Sequence, residues 1–168
     1  MINVKFGISE NEDYEKMVFD ALKSSESNLA KLRERVAQEI ANNIDFSNAL
    51  ITVWNRDKEI ITRQPDIHVT VRNESDRSLV IVSGADAVWV EFGTGVYHNK
   101  TDHEWGASLG FTIGGYGLGH GNRETWAYFD TTENEIKYTH GIEAARTMYR
   151  AVTTVMENIN NIALEVFR

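Results

Sequence analysis

From about Glu10 to Ile44, apolar side chains recur every three or four positions. Tyr14, Met17, Val18, Ala21, Leu22, Leu29, Leu32, Val36, Ile40 and Ile44 fall on one stripe of a helix. Ser9 followed by Glu12 has the capping-box spacing, in which a hydroxyl and a carboxylate satisfy N–H groups of the first turn. The polar run Ser24-Ser25-Glu26-Ser27 predicts a break into two helices. Such a stripe serves either as the seam of a coiled-coil homodimer, which Ser25 interrupts, or as a face packed on a sheet, the commoner arrangement.

After Ala49 the period changes to two. Ala49 to Trp54 is a short strand candidate, Ile67, Val69 and Val71 alternate with polar neighbours, and Ser78 to Ser83 is nearly all β-branched. Asn73 to Arg77 has the length and polarity of a hairpin loop, and Pro65 stands before the first of its two strands, where it removes no ladder bond. Ala85 to Phe92 predicts one or two helical turns stopped by Gly93. An irregular segment follows over about 96–123 and holds Gly106, Gly110, Gly114, Gly115, Gly117, Gly119 and Gly121. Thr125 to Asp130 and Glu135 to Thr139 form a second hairpin, with the stretch at Trp126 as an edge strand, and the helical stripe returns from Ile142 to Phe167. The order predicts an α+β fold. An antiparallel sheet of about four strands is packed by a long N-terminal helix and a C-terminal helix, in a single domain over 1–168 with a long Gly-rich loop.

Composition narrows the function. A net charge of −8 supplies no lysine or arginine surface for phosphate, so sequence-specific nucleic-acid binding is not expected. The absence of cysteine removes disulfides, thiolate metal sites and cysteine nucleophiles together. Neither a signal-peptide pattern over Met1 to Ser9 nor a run of about 20 apolar residues is present, which gives the expectation of synthesis in the cytoplasm and no membrane partner.

Three patterns invite a chemical reading. His98, Asp102, His103 and Glu104 carry the donor types of a metal site, and a small metal-dependent hydrolase is one alternative. Their spacing, however, does not match two imidazoles on one helical turn, and solvated loop residues are the simpler reading. Gly115-Tyr116-Gly117-Leu118-Gly119-His120-Gly121 has the glycine density of a phosphate loop but lacks the lysine and the following helix. No Gly-x-Ser-x-Gly elbow is present, so neither a catalytic residue nor a cofactor or metal is assigned. The loop reads instead as a binding segment. It is expected to order on assembly, with Phe111, Tyr116 and Leu118 as apolar anchors, and a fixed lid on the subunit's own sheet is the alternative.

Two stretches carry a resemblance. Trp89-Val90-Glu91-Phe92-Gly93-Thr94-Gly95 is similar to a signature of the head-to-tail joining, or tail-completion, proteins of long-tailed bacteriophages. Thr139-His140-Gly141-Ile142-Glu143-Ala144-Ala145-Arg146-Thr147-Met148-Tyr149 is similar to the segment that leads into that family's last helix. The order of elements agrees over most of the chain. Asp45-Phe46-Ser47-Asn48 stands where the family often has Thr-Gly-x-Leu, and no proline marks the last helix. The resemblance implies a non-enzymatic neck component of the virion, a homo-oligomeric, hexameric ring between the capsid connector and the tail-tube proteins. An unrelated soluble binding module remains the other alternative.

On that reading Trp89, Glu91 and Phe92 are partner-binding residues. Gly93, Thr94, Gly95, Thr139, His140, Gly141 and Arg146 are structural. Glu91, the one charge in an apolar turn, is expected to face a partner, and a contact between Glu91 and Arg146 is a further expectation.

Overall fold

A computed structural model describes residues 12–98, 101–112 and 123–168. Helix α1 (Glu12–Asn43) is unbroken across Ser24 to Ser27, so the predicted division into two helices does not occur. Serine lowers helix propensity only slightly, and the run holds neither glycine nor proline to stop the ladder. The capping-box residue Ser9 lies outside the described residues.

Strand β1 (Ile51–Trp54) turns back on β2 (Ile60–Arg63), a strand that the sequence pattern did not mark. The turn is built without glycine. Asn55 Oδ1 accepts the N–H groups of Asp57 and Glu59 at 3.0 Å each, and Lys58 takes a left-handed conformation at φ 63°. The next two strands, β3 (His68–Asn73) and β4 (Ser78–Ser83), form the expected hairpin, with Glu74 N–H bonded to the Arg77 carbonyl at its tip. That hairpin is a separate two-stranded sheet. The four-stranded antiparallel sheet runs β2-β1-β6-β5, where β5 (Trp126–Asp130) and β6 (Glu135–Thr139) are the second predicted hairpin and β5 is an edge.

Between the sheets' strands lie α2 (Ala87–Phe92) and the single turn α3 (Gly106–Leu109). The predicted last helix begins later, at Thr147, and is divided at Asn158 into α4 (Thr147–Glu157) and α5 (Ile159–Val166). Residues 142–146 are instead an irregular lead-in.

The core joins these pieces. Ile51 and Val53 of β1 pack with the fully buried Val90 of α2, enclosed by Phe46, Ala49, Ile61, Ile67, Ile142 and Ala145. The C-terminal half of α1 lies against the β3–β4 hairpin, α4 and α5, with Ala37, Ala151 and Val155 buried. Residues 16–27 have no such cover, and every one of them is exposed. Among the described residues no helix is long and apolar enough to cross a membrane.

A carboxylate clasp as the candidate functional site

The two familiar stretches, fifty residues apart, are one structural unit. The irregular segment before α4 runs beside α2, and its main chain bonds directly to the end of that helix. Ala145 N–H donates to the Val90 carbonyl at 2.8 Å and Arg146 N–H to the Glu91 carbonyl at 3.2 Å. Thr94 and Ile142 bond twice. Thr94 N–H donates to the Ile142 carbonyl at 2.8 Å, and Thr94 Oγ1 accepts Ile142 N–H at 2.9 Å. Gly93 ends α2 with φ 75°.

At Gly141 the approach is closest. Its φ is 90°, and a Cβ there would stand 2.1 Å from the Thr94 carbonyl oxygen, so only glycine lets the two segments meet. Thr139 Oγ1 accepts Gly141 N–H at 3.0 Å and donates to the Thr52 carbonyl at 3.2 Å, which ties the same corner to β1.

Glu91 closes the unit. Its side chain is 1% exposed, Oε2 accepts Met148 N–H at 2.9 Å, and Oε1 accepts Tyr149 N–H at 3.0 Å. These are first-turn N–H groups of α4, which have no partner within the helix and sit at the positive end of its dipole. The helix has no side-chain cap of its own, because its N-cap residue is Arg146 in a left-handed conformation. Glu91 therefore serves as a cap supplied from another part of the chain. His103 supplies the third bond, with Nε2 3.1 Å from Glu91 Oε1. Trp105 N–H donates to His103 Nδ1 at 3.1 Å, so the ring proton sits on Nε2 and points at the carboxylate.

This geometry corrects several expectations. Glu91 faces its own chain, not a partner. The guanidinium of Arg146 reaches Glu104 Oε1 at 2.9 Å and the carbonyls of Thr101 and Asp102, so the Glu91–Arg146 contact is confined to the main chain. The reason is steric: the left-handed backbone at Arg146 sends its side chain away from the carboxylate that caps the next residues.

Part of the loop, residues 101–112, makes defined contacts within the single chain. His103, Trp105 and Arg146 pin residues 101–112, and Phe111 stacks on Phe92 at 4.6 Å between ring centroids. Phe111 and Phe92, expected as partner anchors, thus pack on each other in the single chain. Tyr116 and Leu118, with Gly114 to Gly121, lie outside the described residues. Trp89 stays outward at 38% exposure beside Val88 at 42%.

The histidines do not converge. His98 is exposed and meets Tyr97 edge-on, while both nitrogens of His103 are taken by Glu91 and Trp105. Among the described residues no group of three His, Asp or Glu side chains is arranged to hold a metal ion. His140 stacks on Tyr97 at 4.2 Å, lies 4.8 Å from Trp54, and its Nδ1 donates to the Glu124 carbonyl at 2.9 Å.

Two ion clusters brace the margins. Arg63 grips Asp86 through bonds of 2.6 and 3.0 Å, and Asp86 also accepts Asp66 N–H. Burial pushes the Asp86 carboxyl upward, but the Arg63 and Asp66 bonds outweigh it and hold its pKa below the ordinary value. On β6, Lys137 sits among Glu133 at 2.6 Å, Asp130 at 3.2 Å and Glu135 at 3.8 Å. Its pKa is pushed up to about 12, first by the Glu133 bond.

No family model, no curated protein and no solved structure matches the chain.

Proposed function

We propose that the chain is a structural virion protein of a phage neck, which assembles as a ring and joins the capsid connector to the tail tube. The observation that carries this reading is the balance of apolar surface. Among the described residues, seventeen large hydrophobic side chains are substantially exposed while only seven hydrophobic residues are buried. Scattered exposed leucines are ordinary on a monomer, but this proportion fits a subunit whose surface is covered by neighbours.

The exposed groups fall in separate places, as a ring subunit with several contacts requires. Val88 and Trp89 lie on the outer side of α2, and the cross-strand pair Phe129 and Ile136 lies on the outer hairpin of the sheet. The residues that carry the resemblance support the same role by holding α2 rigidly against α4, so that Trp89 is presented from a fixed base. No catalytic step belongs to this function.

The test is deletion of the gene from its phage. Filled heads and separate tails should accumulate, and the purified chain should join them when added back. Intact infectious particles without the chain would overturn the reading. Native mass spectrometry of the joined neck should show a ring of several copies.

A further inference from the structure

We infer that the uncovered N-terminal half of α1 pairs antiparallel with the same segment of a second copy of this chain. Val18, Leu22, Ser25, Leu29, Leu32 and Val36 are spaced by alternating steps of four and three, the spacing of a coiled-coil seam. From Leu32 onward that seam is covered by the chain's own hairpin and C-terminal helices. Before it, the same face is open: Val18 is 40%, Leu22 60% and Leu29 58% exposed, with Met17 and Phe19 flanking at 60% and 56%. The free stretch thus continues an interface already used within the fold.

A helix of that length held by nothing is marginal in water, because nucleation is unfavourable and propensity contributes little. A second helix offering the same three-four pattern is the occupant that fits. Charge fixes the direction. In the sequence, Glu12, Asp13, Glu15 and Asp20 have only Lys16 among them, whereas from Lys23 to Arg35 four basic residues outnumber Glu26 and Glu34. A parallel pair sets the two acidic ends together. An antiparallel pair lays each acidic end along the basic stretch of the other.

In that register Val18 lies opposite the partner's Leu29, and Leu22 opposite the partner's Ser25. The short seam makes a weak, concentration-dependent dimer. A twofold contact closes on itself, so this pairing is separate from a head-to-tail ring contact and does not rest on the neck reading.

Sedimentation equilibrium on the full chain should show a monomer converting to a dimer as concentration rises. Leu22→Glu/Leu29→Glu should stay monomeric at every concentration with its near-ultraviolet circular dichroism unchanged, since both side chains are exposed in the single chain and the core does not use them. The chain has no cysteine of its own, which allows a direct test of direction. Val18→Cys chains mixed with Leu29→Cys chains should form a disulfide-linked heterodimer. Either chain alone should not self-link, because its two thiols are about 16 Å apart along the axis. A wild-type chain that stays monomeric throughout, a charged variant that still dimerises, or self-linking of Val18→Cys alone overturns the proposal.

Discussion

Glu91 caps a helix that begins fifty-six residues after it, with Oε2 2.9 Å from the Met148 backbone nitrogen. A buried carboxylate with three donors aimed at it is poorly replaced by an amide, whose NH2 must face one of them. Glu91→Gln is therefore expected to lose about 2–4 kcal/mol of unfolding free energy, the sum of a lost cap and a strained buried bond. Urea denaturation measures it, and a loss under about 0.5 kcal/mol would show that the clasp contributes little.

Arg146 belongs to a different pair. Its partner Glu104 is 37% exposed, so Arg146→Met and Glu104→Gln should couple by under about 1 kcal/mol, and the coupling should shrink in high salt. Strong coupling of Arg146→Met to Glu91→Gln instead would restore the pairing that the sequence had led us to expect.

Much of this was legible in advance, and the misses have physical causes. Alternation marked β3, a β-branched run marked β4, two short runs about a polar turn marked β5 and β6, and the glycine after Phe92 marked the end of α2. The strand β2 was missed because its turn uses Asn55 and a left-handed Lys58 where glycine would have signalled it. Glu91 stood out as a lone charge among apolar neighbours, but its partners are backbone N–H groups and a histidine from the loop. No side-chain pattern announces a backbone donor. The delayed start of α4 was hidden for the same reason, since residues 142–146 have helical spacing, yet Ala145 and Arg146 give their N–H groups to carbonyls of α2.

Gly141→Ala should destabilise by at least about 2 kcal/mol, from positive φ together with a Cβ driven against the Thr94 carbonyl. Gly110→Ala is the control. Its φ is also positive at 79°, but the space around it is open, so the loss should be about 1 kcal/mol. Equal losses at the two sites, by thermal or urea unfolding, would argue against the close approach.

The ion clusters predict opposite pH responses. Asp86 has a lowered folded pKa, so its contribution is present above its ordinary value of 3.8 and fades as pH falls through the lower folded value. The stability gap between wild type and Asp86→Asn should be open at pH 6 and close in acid. A gap that widens in acid contradicts the assignment.

Lys137 has a raised pKa, so its contribution is complete below 10.5 and is lost as pH climbs toward about 12. The difference between wild type and Lys137→Met should narrow over that range.

The pairing of Trp54 with Tyr138 also sets a schedule for synthesis. The first strand of the main sheet emerges from the ribosome long before its central neighbour exists. At about 5–20 residues per second, the β1–β2 hairpin waits roughly 4–16 s with one edge unpaired. During that interval the nascent chain displays a strand template beside an apolar face, and the hazard ends only when β6 docks and the clasp shuts behind it.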